Sequence, residues 1–180
     1  VGYSGSQNIA DKEFAIKPKY APWIDMMVRV EGPAARDLQI IFIEDWFLDT
    51  DESLEAVLEI APPVTDDGAT VQVIGTGPVA YNEALRQLMQ LSFHIAREEL
   101  ILTTPYFVPD ARMRRALAEA AARGVRVDVL IAGWSDHPIL RWAARARLPE
   151  LLAKGVHCYE FETAMMHAKL AVFDDRWAII

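Results

Sequence analysis

Val125-Arg-Val-Asp-Val-Leu-Ile131 is the stretch that most restricts the fold of this chain. It is short, rich in β-branched residues and apolar enough to be a buried strand. Helical periodicity lies on both sides of it. Before it, Asp110 is a suitable N-cap for an Ala- and Arg-rich helix that ends at Gly124. After it, Pro138 to Lys154 is mostly helical, interrupted near Pro149 and closed by Gly155. A buried strand set between helices pairs with parallel neighbours through crossover connections. Those neighbours are legible as Thr70 to Ile74, Glu99 to Thr103 and His157 to Glu162, with a further helix over Asn82 to Ala96. His167 to Phe173 and Trp177 to Ile180 complete the strands. The order predicts an α/β fold with a mostly parallel sheet flanked by helices.

The first sixty residues read differently. Trp23 to Val30 alternates apolar and polar side chains as a half-buried strand does, and Gly32-Pro33 ends it. Ala34 to Leu48 has Leu38, Ile41, Phe42 and Trp46 at helical spacing, and Leu38 to Leu48 is expected to present an apolar patch to a membrane or to another part of the protein. Asp49 to Ile60 is weaker and acidic. Residues 61–69, with Pro62-Pro63 and Asp66-Asp67-Gly68, read as a linker between a region 1–60 and a region 70–180.

Two bulk properties narrow the function. A net charge of −8 does not suit a general nucleic-acid binder, which carries a basic face, although it leaves room for a small basic phosphate pocket. No run reaches the roughly eighteen apolar residues of a membrane span. Cys158 is the single cysteine, so no internal disulfide forms, and a small buried hydrophobe is its simplest reading.

The chemistry concentrates near the end of the chain, in His167-Ala-Lys169-Leu-Ala-Val-Phe-Asp174, spaced H-x-K-x4-D. If residues 167 to 173 form a strand, His167 and Lys169 share a face, about 7 Å apart along it. An imidazole can attack phosphorus or move a proton, and an ammonium can neutralise equatorial phosphate oxygens. The competing reading is a buried strand with a satisfied histidine and a surface Lys-Asp pair. His94, His137 and His157 read as a helix residue, a helix start and a strand residue. None sits in a cluster with metal-ligand spacing, so neither a metal nor a cofactor is expected. Gly75-Thr-Gly77 and Thr103-Thr-Pro-Tyr106 fall at carboxyl ends of expected strands, where ligands collect in open α/β sheets. Gly75-Thr-Gly77 is either a phosphate cradle or a plain tight turn. Tyr106 and Phe107 either line a pocket or pack beneath their loop.

His167, Lys169 and Asp174 together resemble the signature of the phospholipase D superfamily. In that family G-S-x-N follows six residues after the motif aspartate, and Gly5-Ser6-Gln7-Asn8 is similar to that second half. The sequence therefore resembles the stretch between two family motifs, the tail of one half-domain at 1–60 and most of a second at 70–180. Within the superfamily, Gly5-Ser-Gln-Asn-Ile-Ala-Asp11, Tyr20-Ala-Pro-Trp-Ile-Asp25, Val30-Glu-Gly-Pro33 and Thr103-Thr-Pro-Tyr-Phe-Val-Pro-Asp110 resemble bacterial cardiolipin synthases.

The resemblance implies a phosphatidyltransferase that joins two phosphatidylglycerols through a phosphohistidine intermediate and releases glycerol, without a metal. It implies His167 as general acid/base, Lys169 as phosphate holder and Asp174 as an orienting group. Ser6, Asn8 and Tyr106 would contact or support the substrate. The implied partners are anionic phospholipid, a bacterial inner-membrane surface and further portions of the same protein carrying the membrane segments, with no nucleic acid. Only one H-x-K occurs, so these residues alone are expected to be inactive or nearly so, and soluble. The alternatives are a phosphodiesterase or nuclease that completes its site by dimerising, and a non-catalytic lipid-binding module.

Overall fold

The computed structural model describes residues 1–9, 22–61, 67–76, 83–135 and 137–180. The expected linker at 61–69 and the Gly75-Thr-Gly77 turn fall partly outside these residues, as do the segments ending at Asp11 and beginning at Tyr20.

The described residues form two compact units, Val1–Ser4 with Val28–Leu85, and Gly5–Met27 with Arg86–Ile180. The described residues among them, 5–9 and 22–27, thus pack in space with the second part of the sequence.

In the first unit, β1 (Gly2–Gly5) pairs with β3 (Met27–Val30), and α1 spans Ala34–Thr50. Helix α1 buries only Ile43; Phe42, Phe47 and Leu48 are exposed, in keeping with the expected apolar patch. A 3-10 turn follows at Glu55–Glu59. The strand expected over Thr70 to Ile74 does not form: the segment is irregular, and Val71 and Ile74 are exposed. Among the described residues no strand pairs with it, and β-branched propensity alone does not hold a strand.

The second unit is built on a five-stranded sheet whose order is β6 (His157–Phe161), β5 (Arg126–Ala132), β4 (Glu99–Thr104), β8 (Leu170–Phe173) and β9 (Trp177–Ile179). β4, β5 and β6 run parallel. β8 and β9 add antiparallel pairs on the other edge of β4. The α/β class holds: helices connect the parallel strands, and a tight turn joins the antiparallel β8 and β9. Residues of α2 (Ala84–Ile95), α3 (Ala111–Ala122) and α5 (Leu148–Leu152) contribute Phe93, Leu117, Ala120 and Leu151 to the main core with Val127, Val129 and Phe173 of the sheet. Asp110 caps α3 as expected, its carboxylate accepting from the Met113 N–H at 2.8 Å. The helical stretch after β5 is broken into α4 (Pro138–Arg145) and α5, with Pro149 in the first turn of α5, where its missing N–H does no harm. Among the described residues, no helix is long and apolar enough to cross a membrane.

A second, small apolar cluster lies under the carboxyl ends of the strands. Ala132, Met165, Met166 and Ala168 form it, with Trp23, Met26, Tyr106 and Phe161 against it. It carries the short parallel pair of β2 (Trp23–Ile24) with β7 (Met165–Met166).

Candidate active site

The β2–β7 register decides what meets at the site. Trp23 pairs with Met165 and Ile24 with Met166, so the next residues along, Asp25 and His167, come level with each other. The Ile24 carbonyl accepts from the N–H groups of both His167 (2.8 Å) and Ala168 (2.9 Å). That double grip turns the chain away from sheet pairing, and β8 starts only at Leu170. The strand expected from His167 is thereby shortened. His167 and Lys169 do not project side by side from a pleat; they meet directly, with Lys169 Nζ 2.9 Å from both Nε2 and the backbone oxygen of His167.

His167 is 5% exposed, and its Nδ1 lies 2.7 Å from Asp25 Oδ1. An ionised carboxylate only accepts, so the proton of this bond sits on Nδ1 and the Nε2 lone pair faces the lysine. The same Asp25 oxygen accepts from the Ser6 hydroxyl at 2.7 Å, and Ser6 Oγ accepts from the Met26 N–H at 3.0 Å. Ser6 is buried, and it braces Asp25. Gly5 makes this possible: at φ 155°, a Cβ there would collide with the Met26 carbonyl oxygen and come within 2.8 Å of Met27 Cα. The glycine lets two backbones approach closely enough for Ser6 to reach Asp25.

Aromatic rings close the sides. Trp23 lies 4.5 Å from the His167 ring, centroid to centroid, and Tyr106 meets it edge-on at 6.4 Å. Tyr106 in turn meets His137 at 5.8 Å. Of the two loop aromatics, Phe107 is buried in the main core while Tyr106 faces the site.

Asp174 is elsewhere. It sits past the far end of β8, roughly 16 Å from Lys169 at the usual rise per residue. Its carboxylate accepts from the N–H groups of Arg97 (3.1 Å), Glu98 (2.8 Å) and Glu99 (3.0 Å). Asp174 and Asp175 both have φ of 53°, as a tight turn between antiparallel strands requires. The third member of the motif ties the β8–β9 turn to the start of β4. Asn8 is exposed. His94 and His157 stand apart from the site, His157 facing Asp128 at 2.9 Å. Among the described residues no cluster of His, Cys, Asp and Glu is suited to hold a metal ion. Burial pushes the Cys158 thiol up from its ordinary value.

Asp25 and Trp23 are the residues that sequence reasoning passed over. Trp-Ile-Asp reads as ordinary strand alternation; the one available signal was an acidic residue on an otherwise apolar half-strand within a family-like segment.

A family described as cardiolipin synthase, phospholipase D-like domain, matches residues 89–180. Cardiolipin synthase A of Yersinia pseudotuberculosis is 38% identical over 184 residues, covering 100% of this chain and 38% of the relative. Cardiolipin synthase A of Yersinia pestis matches with the same figures. The chain thus spans well under half the length of these relatives. Among solved structures, Nuc of Salmonella typhimurium, a phospholipase D family member, aligns with 53% of this chain and 61% of its own, at 18% identity and a TM-score of 0.46.

Proposed function

Because the chain belongs to the cardiolipin synthase family of phospholipase D-like proteins, we propose that it supplies one half of a phosphatidyl-transfer centre acting on phosphatidylglycerol. The observation that carries this reading is the imidazole held at both nitrogens: Nδ1 on Asp25 and Nε2 on Lys169. That arrangement leaves one atom, Nε2, to exchange protons or form a bond at phosphorus, with a cation beside it for the phosphate oxygens.

The reaction runs in two displacements. In the first, the histidine of a second motif bonds to the phosphorus of one phosphatidylglycerol, and the bond from phosphorus to the glycerol oxygen breaks. His167, which enters this step as the imidazolium with a proton on each ring nitrogen, gives the leaving glycerol oxygen its Nε2 proton and is left with the Nε2 lone pair. In the second, Nε2 takes the proton from a hydroxyl of another phosphatidylglycerol, that oxygen bonds to phosphorus, and the phosphorus–nitrogen bond breaks. Cardiolipin and glycerol are the products. Throughout, Asp25 keeps the other proton on Nδ1, so the ring cannot turn its lone pair away from the reacting atoms. Lys169 holds phosphate oxygens. Ser6 acts through Asp25, Asn8 contacts the headgroup from the rim, and Tyr106 forms its wall. Asp174 acts on the fold and not on the bond changes. The second histidine comes from a further portion of the protein, since this sequence holds a single H-x-K.

The test is the protein that carries this sequence, given labelled phosphatidylglycerol in mixed micelles. Cardiolipin and glycerol should appear in equal amounts, and His167→Ala should abolish both. Phosphatidic acid as the only lipid product would make the centre a hydrolase and refute transfer.

A further inference from the structure

The surface next to the site combines arginines with exposed aromatic and aliphatic side chains. Pro138 to Arg147 contains three arginines and no carboxylate, in a sequence whose net charge is −8. It also leaves large apolar side chains in water. Ile139 is 75% exposed and Trp142 is 69% exposed, three residues apart on one face of α4. Ala144, on the opposite side, is buried against the core. Trp134, in the loop that leaves β5, is 47% exposed. Arg145 is held by Glu160 in a two-pronged pair, whereas Arg147 is exposed.

This face begins at the rim of the candidate site. His137 is the residue immediately before α4; its ring touches Tyr106, which touches His167. A tryptophan and an isoleucine pointing outward beside arginines is the pattern of a helix lying in a lipid interface. The indole settles at headgroup level, the aliphatic chain reaches the acyl boundary, and the guanidinium groups meet lipid phosphates. Glu160 offsets Arg145, and Arg147 stays exposed on the same segment as the two apolar side chains; a surface with apolar depth and anionic headgroups complements that combination.

We infer that α4 and the Trp134 loop form a docking surface for an anionic bilayer, seating the mouth of the His167 site at headgroup depth. The inference rests on the phosphatidyl-transfer reading for its purpose, because a phosphodiester reaches Nε2 only if the site opens at the level where headgroups lie. Its evidence, the exposed residues of α4, is separate.

The test uses this 180-residue chain and two vesicle types, phosphatidylcholine alone and phosphatidylcholine with phosphatidylglycerol. The chain should float with the second type and far less with the first, and its tryptophan emission should move to the blue. Ile139→Ser with Trp142→Ser, both at exposed positions and so tolerated by the fold, should lower partition by about a hundredfold, the equivalent of losing two large buried apolar side chains. His167→Ala should float as the parent does, because docking does not use the catalytic ring. A parent chain that ignores both vesicle types overturns the inference, as does a double variant that floats unchanged. Sedimentation that shows a dimer abolished by the double variant would assign the face to a second copy instead, and also overturns it. The transfer reading fails separately: if the protein makes no cardiolipin while the chain still floats, docking stands and the chemistry falls.

Discussion

Removing the Asp25 carboxylate should unsettle this chain well beyond an ordinary surface substitution. Asp25 Oδ1 accepts from His167 Nδ1 and from Ser6 Oγ, both at 2.7 Å. His167 is 5% exposed and Ser6 7%, so in Asp25→Ala neither donor gains full access to water. A stranded buried donor costs about 1–3 kcal/mol. Ser6 has a fallback, since its hydroxyl already lies 3.4 Å from the Met26 carbonyl oxygen, which puts its share at the low end. The Asp25 side chain is itself 18% exposed, which trims the charge-assisted part a little. The expected loss is about 2–4 kcal/mol. Ser6→Ala should cost about 1 kcal/mol, and the double variant about 1 kcal/mol less than the sum, because the hydroxyl that Asp25→Ala would strand is already gone. Urea unfolding of the four proteins, followed by far-UV circular dichroism, measures all three quantities. Additive losses would refute the shared-acceptor geometry, and so would Asp25→Ala within about 0.5 kcal/mol of the parent, the range of an ordinary surface change. In the proposed phosphatidyl-transfer assay, Asp25→Ala should slow turnover by about 10²–10⁴, the usual contribution of general acid–base catalysis.

Gly5→Ala should destabilise the chain and uncouple Ser6 from Asp25, because the new Cβ collides with the Met26 carbonyl; histidine proton spectra would show a moved His167 resonance, and an unmoved one would contradict the packing. Asp174→Ala should lower stability by about 2–3 kcal/mol in urea unfolding by releasing three backbone N–H groups, yet leave anion binding at His167 intact in the fraction that stays folded. Stability should also fall in acid through one identifiable pair. The Arg145 guanidinium bonded to Glu160 holds that carboxyl below its ordinary value, so its contribution is present above the unfolded value and is lost as pH falls through the folded one. Arg145→Ala should therefore flatten the acid limb of a pH–stability curve, and an unchanged limb would exclude this pair as its source.

The family and the α/β class were legible because each rests on local pattern. The buried run at Val125–Ile131 between capped helices fixes strand, helix and crossover, and three of the strands are parallel for that reason. His167 and Lys169 are two residues apart, so their partnership needed no tertiary knowledge. Thr70 to Ile74 misled because β-branched residues make a strand only beside another strand. The start of β8 was misplaced because a distant carbonyl, that of Ile24, takes the N–H groups which would have extended it.

What the sequence determined, then, was the chemistry available: one imidazole, one ammonium and the element order that carries them to a strand end. What only the tertiary structure decided was how that imidazole is held. Asp25 lies 142 residues from His167, and no periodicity connects them. They face each other because two short strands pair in one register, and Gly5 lets the chain come close enough to brace the carboxylate. Likewise Asp174, the third member of the motif in sequence, is carried away from His167 and Lys169 by the length of β8. Spacing along a chain specifies which groups are present; hydrogen-bond register between distant segments specifies which of them touch.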